Sequence, residues 1–160
     1  MHALQKEAGI LFVCTGNTCR SPLAEAVAQQ VLERLGRSAR VHSAGTAAVA
    51  GAAASAHSLQ VAAEAGLDLA AHRARPLTRP MLDAATLVLA MGAEHLRVLR
   101  AMAPHAAAHL LAEYAGSDAA DVPDPIGGDL EAYRRTFHRI RTLVESSMGR
   151  FHRGVERERI

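Results

Sequence analysis

Apolar residues along this chain form two patterns that alternate. Short continuous runs at residues 10–13 and 86–91 have the length of buried strands, and residues 41–43 and 108–111 are shorter candidates. Between and after these runs, apolar residues recur at every third or fourth position, as they do on an amphipathic helix. This alternation predicts an α/β fold of three layers, in which helices cover both faces of a central four-stranded parallel sheet.

Five helical segments are predicted from the same spacing and from signals at their ends. The first begins at Ser21, tolerates Pro22 in its opening turn and ends near Gly36. The last follows a turn-rich loop over residues 113–128 and has the clearest apolar stripe, with a charged tail expected from about Gly149. The other three are expected over residues 59–67, 80–84 and 94–102.

Composition narrows the class of protein without identifying a reaction. The chain has 160 residues, 49% of them hydrophobic and 21% charged, which is typical of one soluble globular domain, here residues 1–160. A net charge of +2 with scattered basic residues gives no basis for nucleic-acid binding. No apolar stretch is long enough for a membrane span or a signal peptide. We therefore expect a cytoplasmic protein, a monomer or weak dimer, that binds neither nucleic acid nor membranes.

The residues best suited to chemistry directly follow the first strand. Residues 14–22 read Cys-Thr-Gly-Asn-Thr-Cys-Arg-Ser-Pro. Small residues in this run let the backbone curl so that successive N–H groups point inward, and the helix that follows adds its positive end. Arg20 supplies a planar fork that can hold two phosphate oxygens at once. The run predicts a phosphate-binding loop after the first strand.

Cys14 lies at the base of that loop and is the predicted nucleophile. The positive field favours a thiolate there, which is the nucleophilic form of cysteine, and Ser21 is placed to donate a hydrogen bond to the sulfur. A proton-transfer group is also needed, because the leaving group takes up a proton and the attacking water gives one up. The residue pattern alone leaves four carboxylates open: Asp118, Asp121, Asp124 and Asp129.

Taken together, these features resemble a known family, the low-molecular-weight protein tyrosine phosphatases. The similarity covers most of the chain, and beyond the loop it includes Ser-Ala-Gly-Thr at residues 43–46, His72 and Arg73 before Pro76, and the pair Asp124-Pro125. The resemblance implies the fold of that family and a phosphocysteine intermediate on the first cysteine of the loop.

The same resemblance assigns roles to individual residues. It implies that Cys14 is the nucleophile, that Arg20 and the backbone of residues 15–20 bind phosphate, and that Asp124 is the general acid and base. The substrate cradle would comprise Thr15, Gly16, Asn17, Thr18, Cys19 and Ser21. A polar network holding the loop in shape would comprise Asn17, Ser21, Ser43 and His72.

The residue at position 18 bears on which phosphate is removed. Typical tyrosine phosphatases of the family carry a bulky aliphatic residue there, and aromatic residues after the Asp-Pro pair that stack on the substrate ring. This chain has Thr18 and continues Asp124-Pro125-Ile126-Gly-Gly, which is similar to the bacterial protein-arginine phosphatases. Those enzymes carry an aromatic residue where this chain has Ile126, so the outer wall of the pocket differs. Phosphoarginine in proteins is the expected substrate.

Three other functions stay open. Phosphotyrosine is the alternative substrate, since Thr18 also fits a tight turn without contacting substrate. Arsenate reductase shares this fold and loop, but its chemistry passes a disulfide to further cysteines, and this sequence has none beyond Cys19. A non-catalytic phosphate-binding module would have no need of Cys14, Arg20 and Asp124 together.

The second cysteine and the histidines raise two further questions. Oxidation of Cys14 could be trapped as a Cys14–Cys19 disulfide that thiols reverse, although Cys19 also suits a packing role. Of the nine histidines, His105 and His109 have i,i+4 spacing, but no carboxylate or cysteine pattern completes a site. The sequence therefore predicts phosphorylated proteins as partners, with no metal and no cofactor.

Overall fold

The computed structural model describes residues 7–119 and 121–157. Its four strands are β1 (Gly9–Cys14), β2 (Arg40–Gly45), β3 (Leu87–Ala90) and β4 (Ala108–Leu110). They form one sheet in the order β2-β1-β3-β4, and every neighbouring pair runs parallel. The predicted four-stranded parallel α/β fold is confirmed.

The described residues form six helices. They are α1 (Arg20–Arg34), α2 (Ala56–Glu64), α3 (Arg79–Ala84), α4 (Ala93–Met102), α5 (Leu111–Tyr114) and α6 (Leu130–Arg157). Of these, α1, α3, α4 and α5 contact the strands, whereas α6 packs on α1, α2 and α5. Five occupy segments predicted from the sequence. The single turn α5 was not predicted, because four residues are too few to establish a helical period.

Helices α2 and α6 differ most from the prediction, and α2 also ends at Glu64 where the prediction reached residue 67. Helix α2 begins three residues early because the Ser55 side chain caps it, accepting a hydrogen bond from the Ser58 backbone N–H at 3.3 Å. The charged tail expected from Gly149 is wrong, since α6 continues to Arg157. Phe151 extends the apolar stripe and is buried, which holds this last part of the helix against the core.

Strand β1 is buried on both of its faces. Ile10, Phe12 and Cys14 point into a core packed with α1 and α6, whereas Leu11 and Val13 point into a second core packed with α3 and α4. Successive side chains of a strand point to opposite faces of the sheet, so β1 contributes side chains to both cores. Burial of this kind stabilises by about 1.5–3 kcal/mol for each large side chain, so the strand that ends at Cys14 is firmly held.

The first turn of α1 departs from ordinary helix chemistry. Its N-cap, Cys19, makes no capping hydrogen bond through its side chain, and the polar residues Arg20 and Ser21 are buried there. Buried polar groups are costly unless they are paired, so their partners lie close by. This turn sits at the carboxyl end of β1, where parallel α/β sheets bind ligands.

Among the described residues, no helix is both long and apolar enough to cross a membrane.

Candidate active site

The loop between β1 and α1 is tightly curled and closely packed. Asn17 adopts a left-handed backbone conformation (φ +54°), which asparagine tolerates better than most residues. Gly45, at the end of β2, lies so close that a Cβ atom on it would be 2.4 Å from the Thr15 carbonyl oxygen. The loop's curvature therefore depends on a glycine from the neighbouring strand.

Cys14 and Ser21 meet inside this curl. The Cys14 Sγ lies 2.9 Å from the Ser21 Oγ, and both side chains are buried. The Asn17 amide donates to the same Ser21 oxygen at 2.8 Å. Because that oxygen accepts from Asn17, its own hydrogen is free to point at the sulfur, an arrangement that stabilises a thiolate.

The Asn17 side chain holds three segments together. Its amide nitrogen also donates to the Ser43 Oγ at 2.9 Å, and its amide oxygen accepts from the Arg75 backbone N–H at 2.9 Å. The Asn17 carbonyl oxygen accepts from the His72 Nε2 at 2.7 Å. The predicted network of Asn17, Ser21, Ser43 and His72 is therefore assembled around one asparagine whose side-chain donors and acceptor are all used.

Ser43 connects this network to a residue that sequence reasoning missed. Its hydroxyl donates to the Glu25 carboxylate, which lies on α1 one turn after Ser21. Hydrogen bonds to an ionised acceptor are stronger than neutral ones and orient the donor firmly. The spacing from Ser21 to Glu25, i to i+4 on one helix, was the available signal.

Arg20 and Asp124 come together across the mouth of the loop. The Arg20 guanidinium is 4% exposed, donates to the Asp124 Oδ2 at 3.2 Å and donates to the Val122 carbonyl at 3.0 Å. The other Asp124 oxygen accepts from the Ile126 backbone N–H at 3.1 Å. Of the four carboxylates left open by the pattern, Asp124 is the one that contacts Arg20.

Cys19 and Thr18 lie on the outer side of the loop. The Cys19 Sγ is 3.4 Å from both the Ser55 Oγ and the Tyr133 hydroxyl. Burial and the contact with Cys19 raise the pKa of Tyr133. The Thr18 carbonyl accepts from the Ser55 backbone N–H at 2.9 Å, while the Thr18 side chain is half-buried beside Cys19.

No Phe or Tyr side chain of this protein is exposed, so none offers an open ring face at the mouth of the site. All five Phe and Tyr residues of the chain lie in its described part, and Phe12, Tyr133, Phe137 and Phe151 are buried. The fifth, Tyr114, packs against Arg150 and His109, away from the loop. Aliphatic side chains stand on the flanking loops instead: Ile126 is 71% exposed and Val49 is 74% exposed.

His95 is a second residue that sequence reasoning missed. It lies on α4 with 1% exposure, its Nε2 is 2.8 Å from the Thr15 Oγ1, and its Nδ1 has no hydrogen-bond partner among the described residues. Burial and the nearby Arg20 charge lower its pKa below the ordinary value of 6.5, against the opposing effect of Glu94, Asp121 and Asp124. A contact across 80 positions leaves no local signal in the sequence.

Within residues 7–119 and 121–157, no three His, Cys, Asp or Glu side chains form a cluster that could hold a metal ion. His109 is on β4 and packs against Tyr114, so it does not share a helical face with His105.

Comparisons with known proteins fit this geometry. Residues 9–160 match the family model described as Low molecular weight phosphotyrosine protein phosphatase. The chain is 36% identical over 137 residues to a protein-arginine-phosphatase of Bacillus subtilis, covering 84% of this chain and 91% of that protein. It is also 36% identical over 153 residues to a low molecular weight protein-tyrosine phosphatase A of Mycobacterium bovis, covering 92% and 91%.

A solved structure is similar over nearly the same span. It is a serine-for-cysteine mutant of the YwlE arginine phosphatase, with a phosphorylated active-site serine. That structure superposes on this chain with a TM-score of 0.85 at 34% identity, covering 90% of this chain and 95% of the other.

Proposed function

The chain belongs to the low molecular weight phosphotyrosine protein phosphatase family and is a cysteine-based phosphatase, and from this premise we propose that it removes phosphate from phosphoarginine in proteins. The choice of substrate rests on the side chains at the mouth of the site. Thr18 is half-buried, and none of the chain's five Phe and Tyr residues is exposed beside it: Tyr133, whose hydroxyl lies 3.4 Å from the neighbouring Cys19 Sγ, is itself only 4% exposed. A phenyl ring would have no stacking partner, which removes a recognition energy of about 0.5–1.5 kcal/mol per aromatic pair.

In the first step the Cys14 thiolate attacks phosphorus. A sulfur–phosphorus bond forms and the phosphorus–nitrogen bond to the arginine side chain breaks. Asp124 gives its proton to the departing guanidine nitrogen. Arg20 and the loop N–H groups hold the phosphoryl oxygens, where negative charge is spread in the transition state. The Ser21 hydrogen bond, 2.9 Å from the sulfur, stabilises the thiolate before attack.

In the second step Asp124 acts as the base. It takes a proton from a water molecule, which attacks phosphorus and breaks the sulfur–phosphorus bond. Inorganic phosphate leaves, and Cys14 returns to the thiolate. The Arg20–Asp124 contact of 3.2 Å supports this role, because a phosphate held by Arg20 lies within reach of the same carboxylate.

A phosphorylated guanidinium suits the groups around this mouth. It is planar and carries several N–H donors, for which the Thr18 hydroxyl and the Asp124 carboxylate are acceptors. An isoleucine at position 18 would offer bulk without an acceptor. Phosphotyrosine is the second candidate, because a tyrosine phosphatase is among the relatives at 36% identity. Arsenate reduction through outward disulfide relay lacks support, since the chain has two cysteines and both lie in the loop.

Phosphate release from two matched peptides tests the proposal. The peptides share one flanking sequence and carry either phosphoarginine or phosphotyrosine, and the Cys14→Ser variant is the blank. We expect faster release from the phosphoarginine peptide and none above background with the variant. Much faster hydrolysis of the phosphotyrosine peptide would show that the substrate assignment is wrong.

We also propose that Cys19 protects the nucleophile. Peroxide would oxidise Cys14 to a sulfenic acid, and the Cys19 thiol would condense with it, releasing water and forming a disulfide that thiols reduce. Both cysteines are free thiols in this structure. After exposure to excess peroxide, the enzyme should regain activity with dithiothreitol, whereas the Cys19→Ala variant should not, because a second peroxide converts its unprotected sulfenic acid to the irreversible sulfinic acid. Equal recovery of both would contradict the role.

The cellular setting is a further part of this proposal. Two thiols placed in a reactive loop are typical of a reducing compartment, which supports a cytoplasmic enzyme acting on phosphorylated proteins. A single domain over residues 1–160, a monomer or weak dimer that needs no metal or cofactor, stays a prediction.

A further inference from the structure

A cleft lies toward the opposite end of β1 from the phosphate loop. It has a volume of about 310 Å³ and is lined by Gly9 and Leu11 of β1, Arg40 and His42 of β2, and Met81 and Ala84 of α3, among others. On β1 the cleft floor runs from Gly9 to Leu11, five to three residues before Cys14, so it lies about 16 to 10 Å from that cysteine along the strand. The cleft is therefore distinct from the candidate active site.

The sheet leaves this cleft open at its edge. β2 is an edge strand, and the Leu11–His42 register puts the His42 side chain on the same face of the sheet as Leu11. On that face α3 packs against β1, whereas β2 packs against α1 on the opposite face. His42 and Arg40 are consequently exposed beside an apolar surface rather than covered by a helix.

The lining combines apolar walls with charge of one sign. Leu11, Pro80 and Met81 provide apolar surface, and no acidic residue is among the lining residues. Arg40 pairs with Glu7 at 3.5 Å. Within residues 7–119 and 121–157, the Arg75 guanidinium and the His42 ring have no ion-pair partner, so both are available to a ligand.

We infer that this cleft binds a small amphipathic anion. An apolar body would pack on Leu11 and Met81, and a carboxylate, sulfonate or phosphate group would bind Arg75 and His42, with a guanidinium suited to such groups. The volume lies at the lower end of the range of about 300–1,000 Å³ found for small-molecule sites.

The cleft is connected to the phosphate loop through Arg75. Its side chain lines the cleft, while its backbone N–H donates to the Asn17 amide oxygen at 2.9 Å and its carbonyl accepts from the Gly45 N–H at 2.9 Å. His42 directly precedes Ser43, another partner of Asn17. A ligand that fixes the Arg75 side chain therefore acts on the residues that shape the loop, and the occupied cleft changes the turnover number of the enzyme.

Two fluorescent probes of one shape test the ligand class. 1-Anilinonaphthalene-8-sulfonate carries a sulfonate that N-phenyl-1-naphthylamine lacks. In fluorescence titrations of the full chain, we expect saturable binding of the sulfonate with a Kd at least about tenfold lower than that of the neutral probe, a difference of about 1.4 kcal/mol. Equal affinity for the two probes, or no saturable binding, would overturn the proposal.

Variants locate the probe. Met81→Glu places a negative charge on the cleft wall and should raise the Kd of the sulfonate at least about tenfold, whereas Val98→Glu, at a partly exposed apolar position on α4, should change it less than about twofold. Arg75→Gln, which keeps the backbone contacts, should reduce the preference for the sulfonate over the neutral probe. An unchanged Kd in both Met81→Glu and Arg75→Gln would place the probe elsewhere and refute the site.

Kinetics with p-nitrophenyl phosphate test the connection to the loop. Saturating sulfonate probe should change kcat in the unmodified enzyme and leave it unchanged in Met81→Glu. Purely competitive inhibition that persists in Met81→Glu would show binding at the Cys14 loop instead. This general substrate and the binding titrations do not depend on phosphoarginine, so a failed substrate assignment and a failed cleft are distinguishable.

Discussion

At the scale of single residues, Asn17 decides the shape of the phosphate loop. Its amide oxygen accepts a hydrogen bond from the Arg75 backbone N–H, and its amide nitrogen donates to the Ser21 and Ser43 hydroxyls. Each of these hydrogen bonds joins a different segment of the chain. Every donor and acceptor of this buried amide is used, and removing one partner would leave a buried polar group unpaired at a cost of about 1–3 kcal/mol. The series of hydrogen bonds continues from Asn17 through Ser43 to the Glu25 carboxylate, which accepts from the Ser43 hydroxyl and orients it.

His95 supports the loop from the opposite side. It is buried, and its ring touches the Thr15 hydroxyl next to the nucleophile. Burial and the Arg20 charge lower the pKa of this imidazole, so the folded protein resists its protonation more than the unfolded chain does. Stability from this residue is complete above about pH 6.5, the ordinary value, and is lost as the pH falls from there toward the lowered pKa.

Replacing His95 should therefore make the stability of the protein depend less on pH in the acid range. We expect His95→Gln to lose less stability than the unmodified protein between pH 7.5 and pH 5.5, because glutamine does not titrate there. The measurement is the free energy of unfolding in urea at the two pH values. His138→Gln, at an exposed position on α6, is the control and should follow the unmodified protein. Identical slopes for all three proteins would contradict the assignment.

The residues predicted to react could be identified from the sequence because they lie close together along the chain. Cys14, Arg20 and Ser21 stand within eight positions of each other, so spacing alone brings them to one loop. Selecting Asp124 required the family resemblance, because the residue pattern did not distinguish it from the other three carboxylates. His95 could not be identified, because its contact with Thr15 depends on how α4 packs on the sheet.

At the scale of elements, the end of β2 is as important to the site as the loop itself. Gly45 approaches the loop so closely that an added Cβ would lie 2.4 Å from the Thr15 carbonyl oxygen, 2.9 Å from the Ala48 Cβ and 3.0 Å from the Asn17 nitrogen. Two of these neighbours are backbone atoms of a tightly curled loop, which cannot move aside without opening the cradle.

Gly45→Ala should therefore reduce both stability and catalysis. Overpacking of this kind costs about 1–3 kcal/mol, and displacement of the cradle should lower kcat about tenfold or more. The matched control is Gly154→Ala in α6, where nothing lies within 4 Å and alanine should stabilise the helix by about 0.5–1 kcal/mol. Urea unfolding and steady-state kinetics check both variants, and a stable, fully active Gly45→Ala enzyme would refute the packing argument.

Element boundaries show where a sequence pattern is insufficient. Strands β1 and β3 were predicted from continuous apolar runs of strand length, whereas β2 and β4 contain polar residues and were only shorter candidates. The end of α6 was not, because charged residues after Gly149 masked an apolar stripe that continues through Phe151. Helix α2 began early because a serine cap, and not apolar spacing, sets its first residue.

At the scale of the whole molecule, strand order places the phosphate loop and the basic cleft toward the two ends of one strand. β1 lies inside the sheet, and the phosphate loop follows its carboxyl end, where Arg20 and Asp124 also meet. β2 is at the edge, and the basic cleft opens where no helix covers its face. Arg75 lines the cleft and its backbone N–H donates to Asn17 in the phosphate loop, which is the contact on which the proposed connection rests.

The same architecture bears on the proposed choice of substrate. Four of the five Phe and Tyr residues are buried in the core, so we expect recognition at the mouth to depend on the half-buried Thr18 and on exposed aliphatic residues such as Ile126. An acceptor at position 18 favours a guanidinium, and an aliphatic side chain at that position would favour the phenyl group. One substitution should therefore shift the preference between the two phosphates.

The ratio of kcat/KM for a phosphoarginine peptide to that for a matched phosphotyrosine peptide, measured before and after Thr18→Ile, tests this account most directly. We predict a ratio of about ten or more for the unmodified enzyme, at least about 1.4 kcal/mol of discrimination, and a ratio that falls toward or below one in Thr18→Ile. A preference of the unmodified enzyme for phosphotyrosine would contradict the central claim, and a ratio unchanged by Thr18→Ile would contradict the role given to Thr18.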